Sequence, residues 1–138
     1  MSEPTVVCLC GSTRFGEAFA AAGWTLTLLD QIVLSIGVCK HADPDGAHGG
    51  EVLGQDVAER LDRLHLRKID MADWVLVLNI AGYYGQSTER EIEYARKSGK
   101  PVVMLTDKDR PCDVPDWRQW ETWTEVEELA KQAAKGER

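Results

Sequence analysis

The chain has no excess of basic charge, no uninterrupted apolar run of membrane length and no C-x-x-C pair, and each absence removes a class of protein. Its 16 lysines and arginines are outnumbered by 23 aspartates and glutamates, leaving a net charge of −7. Non-specific binding of DNA or RNA needs a basic face, so a polymeric nucleic-acid partner is not expected. A small anion remains open, because a few oriented amides and one arginine suffice to hold it. The apolar stretch over residues 15–37 is broken by Glu17, Asp30 and Gln31, which argues against a membrane span. The first apolar run begins almost at once and passes into a glycine loop, so no leader peptide is expected. Cys8, Cys10, Cys39 and Cys112 suggest buried, reduced thiols in a cytosolic protein.

What is present is an ordinary globular composition. With 138 residues and a hydrophobic fraction of 43%, the chain can fill one core but not two, and a single domain over residues 1–138 is expected. Short β-branched or apolar runs at residues 5–10, 32–35, 74–79 and 101–106 predict strands. Helical spacing predicts helices over about 14–29, 51–71 and 88–98, with a last one after Trp117, Trp120 and Trp123. In the second helix the apolar positions are Val57, Leu61, Leu64 and Ile69. Residues 41–50, rich in Gly, Asp and His, form a loop. Alternating strands and helices imply right-handed crossovers and a parallel sheet covered on both faces. The expected fold is therefore α/β: a flavodoxin-like or Rossmann-like three-layer sandwich. Its sheet has four strands, or five with one near residues 117–120, in the order 2-1-3-4-5. That order opens a crevice between strands one and three, at their carboxyl ends.

Two loops leave those strands. Gly11-Ser12-Thr13-Arg14 combines a tight turn, exposed helix-start amides, two hydroxyls and a guanidinium, which suits a phosphate or carboxylate. A helix N-cap by Ser12 or Thr13 explains the same residues equally simply. The other loop follows Asn79 and carries Tyr83, Tyr84 and Gly85. Its rings can stack on a base or sugar, or merely cover the sheet edge.

The third helix carries three glutamates that are not equivalent. At 100° per residue, Glu91 falls among Thr88, Ile92, Ala95 and Ser98, while Glu89 and Glu93 point away and Glu93 can pair with Lys97. A carboxylate on the inner side is costly unless paired, capped or used. Thr88-Glu89-Arg90-Glu91 fits a capping box, in which Glu91 reaches back to the Thr88 amide. Catalysis and capping stand level on spacing alone. Asp62 and His65, at i,i+3 on the second helix, can orient a ligand or relay a proton; a solvated Asp–His contact is the simpler expectation. Asp70 and Asp73 flank the turn into the third strand and read as structural. His41, Asp43 and His48 lack a recognised ligand spacing, so no metal site is expected there.

With these residues in view, the pattern of strand-GSTR-helix, then Ala72-Asp73, an apolar strand, and Glu91-Ile92-x-x-Ala95-x-x-x-Gly99-Lys100, resembles the nucleoside 2-deoxyribosyltransferase superfamily. That group includes the 2'-deoxynucleoside 5'-phosphate N-hydrolases and the CMP N-glycosidases. The resemblance covers most of the chain and is best over residues 69–105. It implies cleavage or transfer at the N-glycosidic bond of a nucleoside or nucleoside monophosphate, with Glu91 as nucleophile and no metal or redox cofactor. It further implies that Ser12, Arg14 and Ser87 hold the 5'-phosphate or sugar hydroxyls, and that the protein is a homodimer or larger homo-oligomer. One departure stands out: the family has an aspartate near the leaving base where this chain has His65. Asp62, one turn earlier, is the alternative assistant at the base. A second functional reading is a non-catalytic nucleotide-binding or sensing module, in which Glu91 only caps its helix.

Overall fold

Seven elements alternate along the chain: β1 (Val6–Gly11), α1 (Gly16–Leu28), β2 (Ile32–Leu34), α2 (Gln55–Met71), β3 (Trp74–Ile80), α3 (Gln86–Lys97) and β4 (Val102–Asp107). They come from a computed structural model that describes residues 4–12, 16–36, 54–80 and 85–107. Thr13, Arg14, Tyr83, Tyr84, the loop at 41–50, and the fifth strand and last helix expected beyond residue 108 lie outside the described residues. The strands form one parallel sheet in the order β2-β1-β3-β4. That is the expected order over the four strands, with β1 and β3 side by side at its centre.

Strand alternation divides the core into two faces. Val7 and Leu9 of β1 join Trp74, Leu76 and Leu78 of β3 under Phe19, Ala22 and Leu26 of α1. Cys8 and Cys10 point to the other face, with Val75, Val77, Ile69, Ile92 and Ala95, beneath α2 and α3. Burial on both sides is why these strands read as continuous apolar runs. At the amino-terminal ends of the strands, Gln31 Oε1 accepts from both Thr5 Oγ1 and Trp74 Nε1, and Asp73 accepts from the Val6 amide at 2.8 Å. No helix among the described residues is long and apolar enough to cross a membrane.

Two local expectations are corrected. Helix α3 starts at Gln86, with Gly85 as its N-cap and no side-chain cap. Thr88 is therefore already in the first turn, and the Thr88–Glu91 capping box does not form. In α2 the buried residues are His65 and Ile69, while Leu61 and Leu64 are exposed by 43% and 53%. Each residue turns the helix by ~100°, so a face centred on His65 and Ile69 rotates Leu64 out to solvent. Of the apolar positions expected to face inward in α2, Ile69 is buried and Val57 half-buried, while Leu61 and Leu64 are not.

Candidate active site

Between α2, α3 and the end of β1 the fold gathers four chemically active side chains. The period of β1 sends Cys8 and Cys10 to the same face, and α2 lays His65 over them. Nε2 of His65 lies 3.3 Å from Cys10 Sγ and 3.7 Å from Cys8 Sγ. From α3, Glu91 Oε2 approaches the same nitrogen to 3.5 Å. All four residues are buried, His65 and Glu91 to 3% and 6% exposure. Glu91 Oε2 and His65 Nδ1 have no hydrogen-bond partner among the described residues. The inward position of Glu91 among Thr88, Ile92 and Ala95 is as the helical wheel indicates, and Glu93 meets Lys97 at 3.1 Å on the outer side.

The solvated Asp62–His65 contact is a further correction. His65 turns into the core, and Asp62 instead pairs with Arg90 of α3 at 3.3 Å. Arg90 also donates to Ser87 Oγ at 3.3 Å. A cleft of about 240 Å³ opens between the two helices, and Asp62, Ser87, Arg90, Glu91 and Tyr94 are among the residues lining it. Three of the residues singled out in the sequence, Asp62, Ser87 and Glu91, thus face one space, with His65 behind Glu91.

Burial pushes the Glu91 carboxyl up from an ordinary 4.5 to about 7, against the pull of neighbouring His65. His65 is itself raised: burial works against its charge, but contact with Cys8 and the negative charge of Glu91 outweigh it. The two thiols share a proton unequally. Contact with Cys10 lowers Cys8 to about 6, while the same contact and burial raise Cys10. The cluster holds three acids and one base in one dry volume, with its charge sensitive to pH near neutrality.

Of the remaining candidates, Gly11 ends β1 opposite Leu78 of β3. A Cβ on Gly11 would meet Leu78 O at 3.1 Å and Phe19 Cζ at 3.3 Å, so only glycine lets the two strands and α1 close this tightly. Ser12 follows it, half-buried, and Asn79 is buried near the end of β3. Gly85 caps α3 and Thr88 is buried in its first turn. Sequence reasoning gave Cys8 and Cys10 only a packing role and passed over Arg90. The C-x-C spacing was the available signal for the first pair, since residues two apart on a strand share a face. For Arg90 the signal was its i,i+3 relation to Ser87.

No family model and no curated protein sequence matches the chain. Among solved structures it is similar to a 2-deoxyribosyltransferase from the psychrotolerant bacterium Bacillus psychrosaccharolyticus. The TM-score is 0.59, with 18% identity, over 88% of this chain and 90% of that one. The chain has a deoxyribosyltransferase fold. Helix α3 brings Glu91 to the face of the sheet onto which Cys8 and Cys10 point.

Proposed function

We propose that this protein breaks, or transfers across, the N-glycosidic bond of a nucleoside or nucleoside 5'-monophosphate, with Glu91 as nucleophile. The observation that carries this reading is a buried carboxylate that lines a cleft, makes no hydrogen bond through Oε2 among the described residues, and is excluded from the capping role that otherwise accounts for it. The likeness to a deoxyribosyltransferase structure supports the bond class.

In the proposed reaction a Glu91 oxygen attacks the anomeric carbon as the carbon–nitrogen bond breaks, and the departing base takes a proton. Water, or a second base, then displaces the sugar from the glutamyl ester, as in a retaining glycosidase. Asp62 lines the cleft with Glu91 and is assigned to assist at the base. His65 sits behind the nucleophile and, when protonated, favours its ionised form. By the resemblance in sequence, Ser12, Arg14 and Ser87 are assigned to the phosphate or the sugar hydroxyls.

The test is base release from a panel of nucleosides and 5'-monophosphates, followed chromatographically. Glu91→Gln is expected to bind ligand but to lose at least about a thousandfold in rate, because a neutral amide cannot form the glycosyl ester. Binding without base release by the wild-type protein would make it a nucleotide-binding module instead. Release undiminished in Glu91→Gln would remove the nucleophile assignment.

A further inference from the structure

The sequence implies no metal, yet the structure assembles a set of donors that suits one. We propose that Cys8, Cys10 and His65 hold a zinc ion between β1 and α2, with Glu91 of α3 turning its carboxylate onto the fourth tetrahedral position. Three of the ligand atoms, Cys8 Sγ, Cys10 Sγ and His65 Nε2, lie within 4.8 Å of one another. The fourth is Glu91 Oε2, which is buried, has no hydrogen-bond partner among the described residues and points at the same His65 nitrogen.

The separations from His65 Nε2 fit the metal. Zinc bonds of about 2.3 Å to sulfur and about 2.0–2.1 Å to nitrogen or oxygen place tetrahedral ligands roughly 3.3–3.8 Å apart. His65 Nε2 lies 3.3 and 3.7 Å from the two sulfurs and 3.5 Å from Glu91 Oε2. Two thiolates, an imidazole and a carboxylate are also a borderline-soft set that zinc accepts and magnesium or calcium does not. On binding, zinc exchanges its waters for the four ligands, and the protons still held by the thiols, by the Glu91 carboxyl and by His65 Nε2 pass to solvent. The result is a site of net charge −1 in place of three competing acids. Glu91 also lines the cleft between α2 and α3, which provides the way in.

If Glu91 is the nucleophile, as the proposed function has it, zinc occupies it and the loaded protein cannot cleave a glycoside. Metal binding and glycoside cleavage then exclude each other at one residue.

The experiment is a cobalt titration of the full-length protein, reduced and stripped of metal. One equivalent of Co²⁺ is expected to give thiolate-to-cobalt charge transfer and the visible bands of a four-coordinate ion, both erased by one equivalent of Zn²⁺. Cys8→Ala, Cys10→Ala and His65→Asn should each weaken affinity by more than the roughly 10–100-fold that loss of even an outer-shell partner costs. Glu91→Gln should weaken it less and alter the visible bands, as water takes the fourth position. His41→Ala with His48→Ala should leave the titration unchanged. Far-UV circular dichroism of the metal-free variants identifies any that fail to fold, and His65→Asn and Glu91→Gln then decide the matter without the cysteine changes. Absence of charge transfer in the wild type overturns the proposal. So does a signal that survives Cys8→Ala with Cys10→Ala, or one that disappears only in the His41/His48 variant. Base release is measured separately on the same samples. An inactive protein that still titrates loses the glycosidase reading and keeps the metal site.

Discussion

Glu91 is held where its charge is least welcome, on the buried side of α3 and facing His65 rather than water. Its ordinary carboxyl value of 4.5 rises to about 7 through burial. Between these values the unfolded chain is ionised while the folded one keeps its proton, so stability falls as pH rises through that window. The difference amounts to about 3 kcal/mol by pH 8. His65 adds a slope of the same sign: its raised value gives stability that is full at low pH and lost as pH rises through it. Urea unfolding of wild type and Glu91→Gln at pH 5 and pH 8 measures this. The variant is expected to be the more stable at pH 8 and to lose the Glu91 part of the slope, together with the share of the His65 part that Glu91's charge supplies. The oppositely signed part from Cys8 remains in both proteins. Base release should show the reverse trend, rising as pH passes about 7 and Glu91 ionises. The helical wheel made the inward turn of Glu91 legible in the sequence. What surrounds it was not, because Cys8, Cys10 and His65 arrive from a strand and a helix remote in sequence.

The elements are tied together at the end of the sheet opposite the site. Gln31 precedes β2, Thr5 precedes β1 and Trp74 opens β3, and the single Gln31 oxygen accepts from both of the others in a buried setting. Gln31→Leu keeps the volume but strands the Thr5 hydroxyl and the Trp74 indole N–H. At about 1–3 kcal/mol for each orphaned group, a loss of roughly 2–6 kcal/mol is expected by denaturant titration. A smaller loss would mean that water reaches these groups. The strands were legible because both faces of the sheet are covered, which makes each a short continuous apolar run. The start of α3 was misplaced by two residues because Thr88 imitates a cap, whereas Gly85 leaves the chain extended just before Gln86. In α2 the exposed Leu61 and Leu64 outweighed His65 on hydropathy alone. The face that turned in is the one on which Ile69 joins the core and His65 meets Cys8 and Cys10.

At the scale of the molecule, the sheet keeps its charge-bearing chemistry on one side. The α1 face is filled with Leu, Val, Phe and Trp, while the α2–α3 face holds the thiols, the imidazole and the carboxylate. A deoxyribosyltransferase fold at 18% identity is compatible with many sites, so function has to be argued from that asymmetry. The asymmetry has a mechanical consequence. A metal held by Cys8, Cys10, His65 and Glu91 joins β1 to both covering helices, and a ligand that binds only the folded state stabilises it by mass action. With free zinc at a hundred times its dissociation constant the gain is about 2.7 kcal/mol, which raises the melting temperature of a domain of this size by roughly 5–10 °C. Thermal melts with and without zinc, in wild type and in Cys8→Ala with Cys10→Ala, should show the rise only in the wild type. A shift of equal size in the double variant would place the metal elsewhere on the chain and free the α2–α3 face for glycoside chemistry alone.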